Sequence, residues 1–589
     1  MKTMFKLKRL PIFFGAILML GVSCSDEFLE VAPTGQLAGP LLENEAGVDG
    51  LLIGAYSALN GVFGNRFEGP NHWITGSIMG GEANKGTDAG DYAAINPIQR
   101  YAIDATSGDI NNLWNGRFEG VARCNNVLKT IATAGDKLTA ATATRLSAEA
   151  RMLRGHFYFD LKKHFNSIPY IDETVEDTEV PLVPNTPDVW DKIEADFQYA
   201  FDNLPAENGA GRVNKWAAGA YMGKAKLYQA KYAEAKTWFD DVIANGVTSN
   251  GLKYMLLADY AQIFNAENDN HAESVMDVES ANETGNVQNA NAFDDLNYPY
   301  NTGPDGPGNC CGFFQPSIQL ANTFRTGADG LPLLDGSFDN PENEVDNIYR
   351  HVFVDELDEA DFVLDPDPLD PRIDHSLGRR GIPYLDWNGD GEGNHPGSAW
   401  IRSFPYAGPY SPKKFIYYQS QENTFTDGSS WTRGYATMNY NIIRFADVLL
   451  MAAEAEIEAG TLEQARLYVN MVRARAANSE HWVKRSDGSD AANYVVSEYP
   501  SFPDAAYATA AVRLERKLEL SGEGHRFFDL VRWGVAAEEL NNYLTYESQY
   551  LVTKFGGASF TAGKNEYYPI PQTQIDIQGT DVLSQNPGY

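Results

Sequence analysis

Cysteine and long apolar runs are both scarce in this chain. Only four cysteines occur in 589 residues, too few for a disulfide-dense scaffold. Beyond the amino terminus, no apolar stretch reaches the roughly 20 residues that a helix needs to cross the core of a bilayer. The sequence therefore excludes a small disulfide-rich fold and an integral membrane helix.

Positive charge is also in short supply. The chain has 46 lysines and arginines against 80 aspartates and glutamates, which gives a formal net charge of −34. Binding to nucleic acid requires a dense basic footprint, and no such cluster occurs in this sequence. A nucleic-acid ligand is therefore excluded, and a highly anionic substrate is disfavoured.

The common catalytic motifs are missing as well. The sequence contains no His-Glu-x-x-His, no Gly-x-Ser-x-Gly, no phosphate-binding glycine loop and no Cys-x-x-Cys. His156 and His164 are two helical turns apart, not at the i, i+4 spacing at which two histidines share a metal. Glycoside hydrolysis needs only two carboxylates placed across a sugar, so composition alone leaves a glycosidase open.

The first 23 residues have the pattern of a signal peptide. Four basic residues within positions 2–9 precede an apolar run from Leu10 to Val22. The run ends in Leu20-Gly21-Val22-Ser23-Cys24, which resembles the bacterial lipobox, where the cysteine is lipidated and becomes the new amino terminus. We expect Cys24 to be a lipid anchor, with ordinary secretion and a coincidental cysteine as the alternative.

The other three cysteines divide into a pair and a single residue. Cys310 and Cys311 are adjacent, and in an oxidising compartment they could close a vicinal disulfide. Two reduced thiols in a loop are the alternative of equal weight, because such a small ring is strained. Cys124 lies in a helical pattern, where a cysteine is usually a small buried hydrophobe.

Apolar residues recur at helical spacing along much of the chain. The stretch from Asn214 to Gly246 predicts two helices with a break near Lys231, and this pair resembles a tetratricopeptide hairpin. A second hairpin is predicted by a helix that ends at Gly460 and a restart at Thr461, where Gln464 completes a capping box. Two further amphipathic helices are indicated by Leu146, Ala150, Leu153, Phe157 and Leu161, and by Val189, Ile193, Phe197 and Phe201.

Between the two hairpins the composition changes to glycine, proline, asparagine, aspartate and aromatic residues. The change covers about residues 247–440, and a similar irregular stretch runs from Gly61 to Ser107. Such composition is typical of loops, and long irregular segments inside a folded protein usually carry function. We therefore predict an all-α, tetratricopeptide-like scaffold with a large loop-rich insertion that carries the ligand site.

Several segments resemble one family in residue type and in order. Near the start is Phe28-Leu29-Glu30 with Pro33 close behind, and the predicted early helix carries Glu149-Ala150-Arg151 followed by aromatic residues. The second hairpin contains Arg444-Phe445-Ala446-Asp447. The most specific matches are Arg513-Leu514-Glu515-Arg516-Lys517-Leu518-Glu519-Leu520, Gly522-Glu523-Gly524-His525-Arg526-Phe527-Phe528-Asp529-Leu530, Arg532-Trp533-Gly534, Pro569-Ile570-Pro571 and Gln585-Asn586-Pro587-Gly588-Tyr589.

On these segments the chain resembles the SusD/RagB family. The resemblance implies a surface lipoprotein of Bacteroidetes that covers a SusC-type TonB-dependent transporter in the outer membrane and binds oligosaccharides, or peptides in the RagB branch, for import. It also implies that the protein is not an enzyme and has no cofactor. Ser25-Asp26-Glu27 resembles the acidic signal that sends such lipoproteins to the cell surface.

The charged residues of the carboxy-terminal signature are predicted to be structural. Their signs alternate at spacings that allow pairing along and between helices. A catalytic network is the weaker alternative. The set comprises Arg513, Glu515, Arg516, Glu519, Glu523, Arg526, Asp529 and Arg532.

For sugar capture, aromatic rings in loops are the natural candidates, because their flat apolar faces stack on pyranose C–H faces while polar side chains bind the hydroxyls. Each such ring taken alone is more often packing than ligand contact. The aromatic candidates are Trp73, Tyr92, Tyr298, Trp387, Trp400 and Trp431, and the polar candidates near them are Asn71, Asp88 and Arg402.

A short acidic loop resembles part of a calcium site. Asp386, Asn388 and Asp390 alternate around a turn, with Gly391 at the sixth position. The twelfth position is Gly397, where a calcium loop carries a bidentate glutamate. An Asx and glycine turn is therefore the preferred interpretation, and calcium the weaker one.

Together these patterns predict residues 1–23 as a signal peptide and 24–589 as one SusD-like domain. Its helical scaffold would cover about 40–246 and 441–589, and its ligand-binding region about 247–440. The expected function is capture of oligosaccharides for a SusC-like transporter at the outer membrane. Two alternatives stay open: peptide capture of the RagB type, and a tetratricopeptide-type scaffold for protein partners.

Overall fold

Helices dominate the fold, which confirms the predicted all-α class. The computed structural model describes residues 39–308, 310–346, 362–429 and 431–589. The predicted signal peptide and Cys24 lie outside these residues. Within them, no helix is both long enough and apolar enough to cross a membrane.

The longer helices fall within residues 40–246 and 441–589. In chain order they are α1 Glu45–Ser57, α2 Gly108–Ala134, α3 Ala140–Phe165, α4 Trp190–Asn203, α5 Lys215–Tyr228, α6 Tyr232–Asn245, α7 Phe445–Ala459, α8 Leu462–Ala476, α9 Ala505–Leu520, α10 Arg526–Arg532, α11 Ala536–Glu547 and α12 Gln572–Gln578. Shorter helical turns occur at Gly39–Leu42, Asn96–Gln99, Ile318–Thr323, Ile373–Ser376, Phe404–Ala407 and Val552–Phe555, with a π-helical turn at Trp73–Ile78.

The first predicted hairpin is confirmed as α5 and α6. Asn214 caps α5, because its Oδ1 accepts the backbone N–H groups of Trp216 and Ala217 at 3.0 and 2.9 Å. Gly223 allows the two helices to approach closely, since a Cβ there would meet the ring of Phe239 at 2.5 Å. Helices α2 to α9 then pack successively against one another and form a continuous helical layer around one large apolar core.

The second predicted hairpin is confirmed as α7 and α8, with one correction at its turn. Thr461 caps α8 by accepting the N–H of Gln464 at 3.1 Å. The backbone N–H of Thr461 donates to the Glu456 carboxylate at 2.9 Å and not to Gln464. The capping box is therefore only half formed, because a charged acceptor at the end of α7 takes the second bond.

The region from 247 to 440 consists mainly of loops with short antiparallel strand pairs, to which the earlier irregular stretch contributes one strand. The strands are β1 Ala83–Gly86, β2 Ser274–Val278, β3 Phe313–Pro316, β4 Leu377–Gly378, β5 Ser411–Pro412, β6 Thr426–Asp427, β7 Tyr435–Ala436 and β8 Tyr440–Arg444. They pair as β1–β3, β2–β8, β4–β5 and β6–β7. The β2–β8 pair brings residues 274–278 beside residues 440–444, directly before α7.

Most of the charged signature in α9, α10 and the turn between them is buried and paired, as predicted, whereas Arg513 is half-buried beside Trp533. Glu519 contacts Arg372, Arg444 and Arg475. Arg516 bridges Asp447 and Asp529, each at 2.8 Å. These side chains are almost entirely shielded from solvent, so the network ties α7, α8, α9 and the loop region together and offers no access to a substrate.

His395 provides a pH-sensitive position in the loop region. Its Nδ1 accepts the N–H of Gly397 at 3.0 Å, and its Nε2 lies 2.9 Å from the Ser411 hydroxyl. Burial, and to a smaller extent nearby Lys413, lower the pKa of His395 to about 3 against the opposing effect of Asp390. In the unfolded chain His395 takes up a proton below about pH 6.5, whereas in the folded protein it stays neutral. The contribution of His395 to the free energy of unfolding is therefore full above about pH 6.5 and is lost progressively as the pH falls toward about 3.

The substitution His395→Asn is expected to flatten this part of the pH dependence. An asparagine can accept the same N–H of Gly397 in an Asx turn but does not titrate. Between pH 7 and pH 5 the variant should lose about 2 kcal/mol less unfolding free energy than the wild type. Urea unfolding of both proteins at the two pH values measures the difference, and equal losses would contradict the assignment.

Candidate functional site

Trp431 is the loop tryptophan that the structure leaves accessible, with 51% of its surface exposed. Its indole Nε1 donates to the hydroxyl of Tyr435 at 2.9 Å. That hydroxyl lies 3.3 Å from the Asp295 carboxylate, to which it donates. The Trp431 ring is therefore held in place by hydrogen bonds through Tyr435 to Asp295, and half of its surface is open to solvent. We call this hydrogen-bonded chain the polar anchor of Trp431.

Arg66 is held beside this anchor by the same aspartate. Its Nε and Nη2 donate to the two carboxylate oxygens of Asp295 at 2.7 and 2.6 Å, a bidentate pair that fixes the guanidinium plane. Burial alone would lower the Arg66 pKa, but the hydrogen bond and charge of Asp295 outweigh it and raise that pKa. The guanidinium carbon lies 5.9 Å from the centre of the Tyr92 ring.

A second arginine repeats this arrangement nearby. Arg402 contacts the carboxylates of Asp88 at 2.7 Å and Asp91 at 2.5 Å, and its guanidinium carbon lies 5.5 Å from the Tyr300 ring. The pKa of Asp88 is lowered, first by the N–H of Asp91 and then by other donors and Arg402. Arg402 is therefore oriented by its carboxylate partners and only partly shielded from solvent.

One short loop connects the two arginines. Residues 87–92 supply Asp88 and Asp91 to Arg402 and, immediately afterwards, Tyr92 to Arg66. We call this set of residues the platform. It comprises Arg66, Tyr92, Tyr300, Arg402 and Trp431, together with Asp295, which is buried beneath Arg66. Its aromatic faces and oriented donors and acceptors form the combination that recognises a hydroxylated ring.

The platform rests on a buried carboxylate, Asp294. Three amide groups donate to it, from Asn71 at 2.6 Å, Asn291 at 2.9 Å and Asn297 at 2.8 Å. Burial raises the pKa of Asp294 to about 6, against the effect of these donors. Asn71 is 2% exposed, so the structure places this predicted ligand contact beneath the surface as a support.

Four of the predicted aromatic contacts are buried. Trp73, Tyr298, Trp387 and Trp400 are all 4% exposed or less. Trp387 donates its Nε1 to the carbonyl of Tyr417 at 3.1 Å, and Trp400 packs edge-on against Tyr384. Their burial argues against ring stacking with a ligand and supports the packing alternative. Trp73 belongs to the large main core, and the other three belong to an aromatic core built by the loop region.

The structure links Trp431 to Tyr92 through Tyr435, Asp295 and Arg66. It pairs Asp88 with Arg402, and it adds residues that the sequence alone did not identify. Arg66, Asp295, Tyr300 and Tyr435 have no sequence neighbours that mark them out. Arg66 and Asp295 are 229 positions apart, so only folding reveals their pairing. The only sequence signal for these four residues was that each is polar or aromatic and lies in an irregular stretch. Many other residues of the chain share that signal.

The acidic loop that resembles part of a calcium site forms turns through its carboxylates. Asp390 Oδ1 accepts the N–H groups of Glu392 and Asn394 at 2.9 and 3.1 Å. Asp386 accepts the N–H groups of Gln419 and Ser420, and Asn388 donates its amide to Asp305 at 2.8 Å. The geometry matches the preferred Asx-turn interpretation.

One group of potential metal ligands occurs among the described residues, formed by His72, Asp160 and His164. The same Asp160 carboxylate contacts Arg117 and, at 2.7 Å, the ammonium of Lys163. A divalent cation would have to sit beside two fixed positive charges, so this donor set does not fit a metal.

The paired cysteines lie next to the platform. The structure has a disulfide bond between Cys310 and Cys311. Gly312 follows them with φ +76°, and a Cβ there would lie 3.2 Å from Tyr300 and 3.8 Å from Arg402. Cys124 is buried and free, as predicted.

Two family models match the chain. The one described as "SusD family" matches residues 272–589, and "Starch-binding associating with outer membrane" matches residues 27–228. In Formosa agariphila, SusD-like protein P25 is 24% identical over 540 residues, covering 87% of each chain. SusD-like protein P2 of the same organism is 24% identical over 596 residues, covering 99% of this chain and 100% of that protein.

Solved structures agree in fold. A SusD superfamily protein from Bacteroides vulgatus has a TM-score of 0.68 at 19% identity, covering 93% of this chain and 100% of that one. A laminarin binding SusD-like protein has a TM-score of 0.64 at 24% identity, covering 93% of this chain and 100% of that one. Surface glycan-binding protein A from Bacteroides thetaiotaomicron, in complex with laminarihexaose, has a TM-score of 0.61 at 19% identity. The match covers 92% of this chain and 99% of that one. Since the first family match spans more than half of the sequence, this chain belongs to the SusD family.

Proposed function

We propose that the mature chain, residues 24–589, is a surface-exposed lipoprotein that captures oligosaccharides and passes them to a SusC-like TonB-dependent transporter. Cys24 would carry the lipid that holds the protein at the outer membrane. The proposal includes no catalytic step and no cofactor. The observation that carries it is the exposed Trp431 ring, anchored through Tyr435 and Asp295 to Arg66.

The comparisons support the glycan part of this proposal. Two structural relatives are named for laminarin binding and for a complex with laminarihexaose. The family description "Starch-binding associating with outer membrane" supports the cellular location. The transporter partner and delivery rest on membership of the SusD family.

The electrostatics of the platform favour a glycan over a peptide. A peptide site of the end-capture type needs a cation available for a terminal carboxylate. Here Arg66 is paired with Asp295 and Arg402 with Asp88 and Asp91. Because both arginines are already paired with carboxylates of the protein, neither is available for a ligand carboxylate. The platform therefore presents a near-neutral set of donors and acceptors that suits hydroxyl groups.

Calorimetric binding of residues 25–589 to laminarin, starch and other neutral glycans, with casein-derived peptides as the rival class, tests the proposal. Saturable binding to one glycan class is expected. Trp431→Ala should weaken it at least tenfold, or about 1.4 kcal/mol, because the exposed ring provides the stacking face.

The matched control is Leu467→Ala, which removes an exposed apolar side chain from α8 and should leave affinity unchanged. Peptide binding without glycan binding would favour the RagB-type alternative. Glycan binding that survives Trp431→Ala would remove the platform as the site.

A further inference from the structure

A groove of about 690 Å³ runs along helix α2. Its walls are α2 on one side, and residues 169–181 and α12 on the other. Phe63 stands at one end of the groove with 55% of its surface exposed, and Ile577 of α12 is 71% exposed. From Trp114 to Lys129 the α2 wall is ~22 Å long, at 1.5 Å per helical residue.

Neutral amides and apolar surfaces line most of this groove. Gln574 donates its amide to the Oδ1 atoms of Asn111 and Asn115 at 2.9 and 3.0 Å, which orients both partners at the wall. Asn126 and Gln578 add further amides, and Phe118 adds a half-buried ring that packs 4.8 Å from Trp114. Oriented amides beside apolar rings suit a ligand with many hydroxyl groups and apolar faces.

The charged residues at the groove are already engaged within the protein. Lys129 contacts Asp177 at 3.1 Å, and Glu119 pairs with Arg123 at 2.9 Å. Asp172 accepts the hydroxyl and the N–H of Thr174 at 2.6 and 2.9 Å. Lys129 and Glu119 are therefore paired, and Asp172 is held by neutral donors and keeps its negative charge at the groove. This charge balance favours an uncharged ligand over an anionic one.

Hydrogen bonds connect the groove to the platform at one corner. Asp109, in the first turn of α2, accepts Asn65 at 2.6 Å and the hydroxyl of Tyr92 at 3.2 Å. Asn65 lies between Phe63 of the groove and Arg66 of the platform. Glu68 accepts the N–H groups of Val62 and Phe63 at 2.7 and 3.2 Å, which holds the corner in place.

From this connection we infer that the α2 groove is a second subsite for a neutral oligosaccharide, which takes the part of the chain that extends beyond the platform. The inference rests on the proposed glycan function. It implies that the protein selects long chains: a short oligosaccharide occupies the platform alone, whereas a long one also passes Phe63 and lies against the α2 and α12 amides.

The test compares short and long probes of one series, laminaritriose against laminarin and maltotriose against starch, together with two lengths of the glycan that binds in the panel. Wild-type residues 25–589 should bind the long probe at least tenfold more tightly per chain. Phe63→Ala combined with Ile577→Ala should reduce this long-to-short ratio at least fivefold. Leu252→Ala, an exposed apolar control elsewhere, should preserve the ratio.

Hydrogen exchange gives a second readout that does not depend on the variants. The long probe should protect amides in residues 169–181 and 572–578, and the short probe should not. If the long-to-short ratio is unchanged in the double variant and residues 169–181 and 572–578 show no protection, the groove is not a subsite, while the proposed glycan capture still stands. Absence of binding to every glycan would instead overturn the proposed function, and the groove inference with it.

Discussion

Replacing Glu519 by glutamine is expected to lower the free energy of unfolding by about 3–5 kcal/mol. The carboxylate contacts Arg444 at 2.6 Å, Arg372 at 3.0 Å and Arg475, and all four side chains are shielded from solvent. Burial would raise the Glu519 pKa, but the three arginines hold it well below its usual range. Glutamine keeps the shape and removes the charge, which leaves three buried cations short of a counter-charge.

Equilibrium urea unfolding of wild type and Glu519→Gln measures this loss. The matched control is Glu463→Gln on the surface, where the acid is 65% exposed and pairs with Arg466 at 2.6 Å. Exposed pairs contribute about 0–1 kcal/mol, so the control should be close to wild type. Similar small losses in both variants would show that the buried network is not a major source of stability.

Replacing Gly524 by alanine is expected to cost about 2–5 kcal/mol, from the unfavourable left-handed backbone and overpacking together. Gly524 has φ +76°, and a Cβ there would overlap the backbone carbonyl of Asn71 and meet the Cβ of His72 at 2.8 Å. The same close approach places Gly524 against Gly76 of the π-helical turn. Backbone on both sides leaves little room for relaxation.

The comparison for Gly524→Ala is Gly50→Ala, inside helix α1. No atom lies within 4 Å of a Cβ at Gly50, and alanine in a helix is more favourable than glycine by about 0.5–1 kcal/mol. The midpoint temperature of thermal unfolding should therefore fall for Gly524→Ala and rise for Gly50→Ala. A Gly524→Ala protein as stable as wild type would contradict the close approach of residues 71–78 to the signature turn.

The helical scaffold could be predicted because its signals are local. Asn214 and Thr461 mark helix starts through their own side chains, and Gly223 marks a close contact within one hairpin. The second hydrogen bond of the Thr461 cap was predicted wrongly because a competing acceptor, Glu456, lies outside the four-residue motif. Local patterns omit such competitors.

The ligand-contact predictions were weaker because exposure is a property of the whole fold. Trp387, Trp400 and Trp431 have similar loop contexts in the sequence, but only Trp431 among these three is exposed. The loop region is large enough to form its own core, so most of its aromatic residues are used in packing. The same argument applies to Asn71, which supports the buried Asp294.

The sequence by itself determined the all-α class, the two hairpins, the membership of the SusD family and the structural role of the α9 and α10 charges, because each depends on spacing within a helix or on an ordered set of motifs. Only the tertiary structure decided which aromatic ring faces solvent, which arginine pairs with Asp295, and that α2, residues 169–181 and α12 enclose a groove. These features join residues hundreds of positions apart, and their free energy comes from burial and pairing that no local pattern encodes.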